Sequence, residues 1–205
     1  MQSAARAIPS LNLRQCRGNY SITCPEITEQ WDNMDGLSMD ICDGSTHGTL
    51  LAAMDFGVVE GTMILSMARD VPVDDEDSDM NEDENSDDGD EGDATSYQGL
   101  GKRKASPSKP DWPENVASSS PSRRLYLRWR GRDTGTGEIY FDASLGFIDF
   151  NNYYTSISGT LFSVPGAGRV EFKGRKVDKA PRTQPEPWSA FSEAAYVKAE
   201  QSRWH

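Results

Sequence analysis

The sequence predicts an all-β domain, mainly antiparallel: a small barrel or sandwich of about eight short strands, with a C-terminal helix and a long disordered insert. Apolar and polar residues alternate with period two from Gly18 onwards, and turn signals interrupt the alternation often. The stretch 71–122 lacks apolar periodicity and is too polar to contribute to a core. The predicted organisation is a disordered leader (1–17), a first half of the β domain (18–70), the insert (71–122), a second half (123–178), and a linker with a helix (179–205).

Four strands are expected before the insert. Alternation is clearest in LSMDIC, where Leu37, Met39 and Ile41 share one face. TLLAAMDF and VVEGTMILSM follow, and Gly57 is the natural turn between them. Half-buried antiparallel strands have this pattern because successive side chains point to opposite faces of a sheet.

The same pattern resumes after the insert. In RRLYLRWR, Leu125, Leu127 and Trp129 face one side, and the glycine-rich GRDTGTGE predicts a hairpin connection. Further strands are predicted, as separate elements, at EIYFD, LGFIDF, TSISGTLFSV and GRVEFKGRKV. A loop of about fifty residues costs only roughly 2 kcal/mol more to close than one of about five, so a stable sheet can carry the insert.

The stretch PWSAFSEAAYVKAEQSRW predicts the C-terminal helix. Pro187 lies near its start, and Trp188, Phe191, Ala195 and Ala199 recur at helical spacing. We expect this face to pack on the sheet or to plug one end of a barrel. A helix that binds a partner is the alternative.

The negative charge is concentrated in one segment. The 205 residues carry a formal net charge of −12, and the tract from Asp74 to Asp93 holds 13 of the 33 acidic residues and no basic one. Such a polyanion is expected to bind basic, histone-like proteins and to repel nucleic acid, so direct nucleic-acid binding is not expected. Partner binding is assigned to Asp74, Asp75, Glu76, Asp77, Glu82, Asp83, Glu84, Asp87, Asp88, Asp90, Glu91 and Asp93. Simple solubilisation is the alternative.

A basic cluster follows the acidic tract. Lys102, Arg103 and Lys104 lie in GKRKASPSKP, a pattern typical of a nuclear import signal bound by an import receptor. A charge-balancing linker in a cytoplasmic protein is the alternative. Ser106 and Ser120 each precede a proline and are possible phosphorylation sites, and a phosphate on Ser106 would weaken the neighbouring signal.

A second group of basic residues lies in the first strand after the insert. Arginines with an interleaved aromatic suit a phosphate or single-strand surface, and the acidic tract could also occupy them in cis. A solvated strand face is the simpler interpretation. The residues are Arg124, Arg128, Arg130 and Arg132, with Tyr126 among them.

The sequence offers little for catalysis or cofactor binding. Cys16, Cys24 and Cys42 contain no CxxC pair, which favours reduced, buried thiols over a metal site or disulfides. No apolar run is long enough for a membrane span, no cofactor is indicated, and nothing indicates an oligomeric state. The histidines, His47 and His205, fit no catalytic triad. Carboxylates in or beside strands could pair as acid and base, and a strand-edge salt bridge is the simpler role for each of them. They are Asp40, Asp55, Glu60, Glu138 and Asp142.

Several motifs occur in an order that resembles a group of uncharacterised proteins from filamentous fungi. They are GNYSITCPEITEQW, AAMDFGVVEGTMILS, the acidic run, GKRK, RWRGRDTGTGEIYF and the ending FSEAAY with SRW. The resemblance spans nearly everything after Gly18. It implies two β-rich halves that flank an acidic insert and KRK-type basic residues, and it implies no catalytic residues.

These observations predict a non-enzymatic nuclear interaction module. The acidic loop would bind basic partners, and the β domain would supply a second protein-binding site. Two alternatives stay open: a small-molecule-binding β-barrel with an incidental loop, and a hydrolase-like enzyme that uses strand carboxylates.

Overall fold

The protein folds as a closed antiparallel barrel of eight strands. A computed structural model describes residues 11–32, 34–71, 112 and 123–203. Each strand pairs with the next along the chain, and β8 pairs with β1 to close the barrel. The fold class is therefore confirmed, as a barrel. The strands are β1 (Gly18–Thr23), β2 (Ser38–Asp43), β3 (Thr49–Asp55), β4 (Val59–Ser66), β5 (Arg124–Asp133), β6 (Ile139–Phe150), β7 (Ser156–Val164) and β8 (Gly168–Asp178).

The inward-facing side chains fill the barrel. The alternation predicted in β5 is present, with Leu125, Leu127 and Trp129 buried inside. Phe56 and Phe172 meet edge to face across the interior with ring centroids 5.2 Å apart. An eight-stranded barrel has an interior just wide enough for side chains, and large residues occupy it here.

β6 is longer than the sequence predicted. EIYFD and LGFIDF were expected to be separate strands, but they form one strand, Ile139–Phe150. Its pairing with β5 shifts register, because Trp129 pairs with Ser144 whereas Gly131 pairs with Tyr140. The residues between Tyr140 and Ser144 therefore form a bulge in place of a turn, and a bulge bends a strand without ending it.

Two glycines permit the close contact of β4 with β5 opposite this bulge. Gly61 pairs with Gly131, and a Cβ on Gly61 would lie 2.1 Å from the carbonyl oxygen of Arg130. A Cβ on Gly131 would lie 2.3 Å from the carbonyl oxygen of Glu60. A side chain at either position would therefore separate the strands.

Residues 11–17 are folded, although they were predicted to belong to a disordered leader. The helix α1 (Leu13–Cys16) begins after Asn12, whose side chain accepts a hydrogen bond from the Arg14 N–H. Cys16 is fully buried, and its carbonyl oxygen accepts a 2.7 Å hydrogen bond from the Tyr20 hydroxyl. Contact with the core thus orders this segment.

Two residues of the predicted insert also pack on the barrel. Val71 is buried, and the Trp112 ring lies 5.2 Å from the Tyr126 ring. The rest of the predicted insert, like the first ten residues of the predicted leader, lies outside the described residues.

The up-and-down topology gives the barrel two distinct ends. β1, β3, β5 and β7 all begin at the end where β2, β4, β6 and β8 finish. The chain enters the insert after β4 and returns at Arg124, so both connections lie at this end, which we call the insert end. The short helix α2 (Pro25–Thr28) follows β1 at the opposite end and buries Ile27.

The C-terminal segment packs on the outside of the barrel. It contains a 3₁₀ turn (Trp188–Phe191) and the helix α3 (Glu193–Arg203). Phe191 is fully buried, and the Phe141 and Tyr196 rings lie 5.3 Å apart where α3 meets β6. Of the two predicted packings, the segment takes the one on the sheet. We call residues 179–203 the strap.

Candidate functional site

The predicted arginine patch lies on the outer face of β5, but it is not a free surface. The Arg124 guanidinium donates two hydrogen bonds to Asp149, at 2.7 and 2.6 Å, and lies 4.0 Å from the centroid of the Phe147 ring. The hydrogen bonds to Asp149 raise the pKa of Arg124. Because Asp149 accepts both of these hydrogen bonds, the Arg124 guanidinium is not available to bind a phosphate in the same way.

The strap covers two more of these arginines. Arg130 lies over the Trp188 ring at 4.9 Å, and Arg132 lies over the Phe191 ring at 5.0 Å. Arg132 also pairs with Glu60 at 3.2 Å and with Glu186 of the strap. Arg128 is half-buried. Two of the four arginines, Arg130 and Arg132, therefore hold the C-terminal segment and do not lie on a free strand face.

Buried polar groups on β1, β2 and β4 anchor the strap further along. Asp40 is only 2% exposed, and its Oδ1 accepts hydrogen bonds from the Asn19 amide at 2.9 Å and the Arg182 N–H at 2.8 Å. The Thr62 hydroxyl donates to the Glu186 carbonyl oxygen at 2.8 Å. The buried side chains of Asp40 and Thr62 thus both have hydrogen-bond partners in the strap.

An acidic cleft of about 180 Å³ lies between the strap and β2 to β4. Its carboxylates are Asp40, Asp55, Glu60 and Glu186. Asp55 accepts a hydrogen bond from the Gly57 N–H, and Asp40 accepts one from the Arg182 N–H of the strap. Glu60 and Glu186 both pair with Arg132. Every carboxylate here has a structural partner. Within the described part of the chain, no cluster of His, Cys, Asp or Glu is arranged to hold a metal ion.

A cavity of about 420 Å³ at the insert end, the basic pocket, has a different composition. Four of its lining residues are cationic, and none carries a carboxylate. The lining is Arg14, Gln15, Arg17, Tyr153, Tyr154, Thr155, Lys176 and Lys179. Residues from both ends of the folded chain therefore converge on one site.

Lys176 is the cation of the basic pocket that hydrogen bonds hold in place. Its Nζ donates hydrogen bonds to the carbonyl oxygens of Gln15, at 2.5 Å, and Arg17, at 2.8 Å, and lies 5.1 Å from the centroid of the Tyr20 ring. Burial lowers the pKa of Lys176, and burial also raises the pKa of the neighbouring Cys16 thiol to about 12. The carbonyl oxygens and the ring favour the charged ammonium, which keeps a third N–H for a ligand.

The other cations are more exposed. Arg17 pairs with Asp43 at 2.7 Å in a solvent-exposed bridge, which is a weak interaction. Arg14 and Lys179 are exposed and form no ion pair with any described residue. Beside them lies the aromatic residue Tyr153, which is 82% exposed.

The loop that carries Tyr153 is held in place by short-range hydrogen bonds. The Asn151 side chain accepts from the Thr155 N–H and donates to the Thr155 hydroxyl, both at 2.9 Å. Tyr154 is buried, and its hydroxyl accepts a 2.9 Å hydrogen bond from the Asn12 N–H. The loop is thus fastened to the N-terminal segment, and the pocket wall is preformed.

A larger outer groove of about 570 Å³ runs along β6, β7 and β8, but its charges cancel. Arg169 pairs with Glu171 at 2.6 Å, and the Glu26 carboxylate accepts a hydrogen bond from the Glu171 N–H. The basic pocket is therefore the stronger candidate for recognition of a charged ligand.

Sequence reasoning missed the basic pocket because its residues are far apart along the chain. The pairing of β1 with β8 brings Lys176 next to Arg17, and no local pattern indicates that contact. The available signal was that three separate arginines, and no acidic residue, precede Glu26.

The remaining predicted sites stay predictions. The acidic tract, the basic cluster from Lys102 to Lys104, Ser106 and Ser120 all lie outside the described residues. Cys16, Cys24 and Cys42 are free and buried, as predicted.

Comparison with protein-family models, with curated proteins and with solved structures finds no match. The resemblance to filamentous-fungal proteins thus stays a prediction. No helix in the described ranges is both long and apolar enough to cross a membrane.

Proposed function

We propose that the protein is a non-enzymatic nuclear interaction module. The acidic tract binds basic, histone-like proteins, and the cluster from Lys102 to Lys104 serves as the import signal. The barrel supplies a second protein-binding site, the basic pocket, for an acidic partner. The observation that carries this proposal is the convergence of four cations, without a carboxylate, on one preformed cavity.

The charge distribution supports two sites of opposite sign. Outside the acidic tract the chain carries 20 acidic and 21 basic residues, so it is almost neutral there. The basic pocket is therefore a local concentration of positive charge in a part of the chain that is almost neutral. The tract is a separate concentration of negative charge. Complementary charge raises association rates and selects partners.

The two alternatives have less support. A small-molecule barrel needs an interior cavity, and Tyr20, Phe56, Trp129 and Phe172 fill the interior here. A hydrolase-like mechanism would use the acidic cleft, but its carboxylates are already bonded to the strap, to Arg132 or to the turn at Gly57. A general acid and base need carboxylates that are available to substrate.

The test is to neutralise the acidic tract without changing its length, by replacing every Asp with Asn and every Glu with Gln between residues 74 and 93. We expect the affinity for a histone-type protein to fall by at least about tenfold at low salt, because many ion pairs are lost. Fluorescence anisotropy across a salt series measures this. Unchanged, salt-sensitive binding by the neutralised chain would contradict the proposal.

A further inference from the structure

We propose that the basic pocket is the docking site of the chain's own acidic tract, residues 74–93. This inference rests on the proposed function and adds regulation to it. When the tract occupies the pocket, both binding sites of the protein are masked. A basic partner must displace the tract from the pocket, and this displacement frees the pocket for an acidic partner.

Position is the first argument. The connections to the insert lie at the insert end, where the basic pocket opens. Arg123, the residue at which the insert rejoins the barrel, hydrogen-bonds to Asn152 and lies 5.9 Å from the centroid of the Tyr154 ring. Tyr154 is itself part of the pocket wall. The insert thus returns to the fold directly beside the pocket.

The second argument is charge. Arg14 and Lys179 form no ion pair with the described residues, and Lys176 keeps one N–H after its two carbonyl contacts. Carboxylates are the natural complement of such a group, and the tract contains 13 of them. Inorganic anions would fit the same chemistry, but they lack the advantage of a tether.

The tether is the third argument. Asp74 follows the buried Val71 after two residues, and about 30 residues separate Asp93 from Arg123, which corresponds to a root-mean-square span of roughly 30 Å for a flexible chain. An intramolecular ligand on such a tether has an effective concentration on the order of millimolar. Even weak ion pairs then suffice for substantial occupancy.

The β5 arginines are a poorer site for the tract. Arg124 is bonded to Asp149, while Arg130 and Arg132 lie under aromatic rings of the strap. The tract would have to displace folded structure there, whereas the basic pocket is open. Cis docking therefore belongs at the insert end.

The test uses a fluorescent peptide of residues 74–93 as probe and the full-length chain with a neutralised tract as receptor. We expect the peptide to bind this receptor at low salt and to bind the unmodified chain at least tenfold more weakly, because its own tract occupies the pocket. When R14Q/K179Q is added to the chain with the neutralised tract, the affinity for the peptide is expected to fall at least tenfold. K173Q/K198Q, which removes the same charge elsewhere, is the matched control.

Three results would overturn the inference. They are no binding of the peptide to the neutralised chain, equal affinity of the peptide for the neutralised and the unmodified chains, and equal losses of peptide affinity in the two double variants. Because Arg14 and Lys179 are exposed, their replacement leaves the core intact, and thermal unfolding checks this. Failure of the proposed function is a separate outcome. In that case the peptide still binds the pocket of the neutralised chain. The variant that keeps its native tract and carries R14Q/K179Q, however, does not bind a histone-type protein through its freed tract.

Discussion

At the scale of single residues, Asp40 shows how burial and hydrogen bonding assign a role to a charged side chain. The sequence placed it among carboxylates that could act in catalysis, with a strand-edge salt bridge as the simpler role. The structure instead buries it against the Asn19 amide and the Arg182 N–H. Alternation in β2 predicts that Asp40 faces away from the core, but no local pattern predicts that the strap covers it.

We predict that Asp40→Ala lowers the free energy of unfolding by about 2 kcal/mol, because it leaves two buried donors without an acceptor. Asp40→Asn keeps one acceptor oxygen, so we expect it to lower the free energy of unfolding by less. Asp43→Ala is the control, since Asp43 is exposed and its pair with Arg17 contributes at most about 1 kcal/mol. Urea denaturation measures all three, and equal losses for the two alanine variants would contradict this role.

At the scale of elements, the strap and β6 mark where sequence patterns stop being informative. Period-two alternation identified the strands because each has one buried and one outer face. It divided β6 into two strands, since a bulge interrupts the alternation as a turn does. The C-terminal helix was predicted from the helical spacing of two aromatic residues and two alanines. The two aromatic residues, Trp188 and Phe191, lie in the 3₁₀ turn that precedes α3, and the position of this turn against β5 depends on their stacking with Arg130 and Arg132.

We predict that Phe191→Ala destabilises the protein by about 3 kcal/mol, since Phe191 is fully buried between the strap and the barrel. Val197→Ala, on the exposed side of α3, is expected to change the free energy of unfolding by less than about 0.5 kcal/mol. Trypsin should cleave the Phe191→Ala variant faster within the strap. If the two variants are equally stable, the strap does not stabilise the barrel.

At the scale of the whole molecule, two halves separated by the insert form one closed barrel. Neither half is complete, because β4 pairs with β5 on one side of the barrel and β1 pairs with β8 on the other. The antiparallel class could be predicted from strand length and turn frequency. Closure of the barrel could not be predicted, because the contact between β1 and β8 joins residues about 150 positions apart. The basic pocket depends on the same contact, so it could not be predicted either.

The central claim is that the barrel is one cooperative unit from which the insert is separable. Its most direct test is thermal unfolding of a chain in which residues 72–122 are replaced by about ten Gly and Ser residues. The shorter loop favours folding by about 1 kcal/mol, and loss of the Trp112 stack on Tyr126 costs a similar amount. We therefore expect a single transition with a Tm within about 5 °C of the full chain. Loss of the cooperative transition, or two separate ones, would contradict the claim.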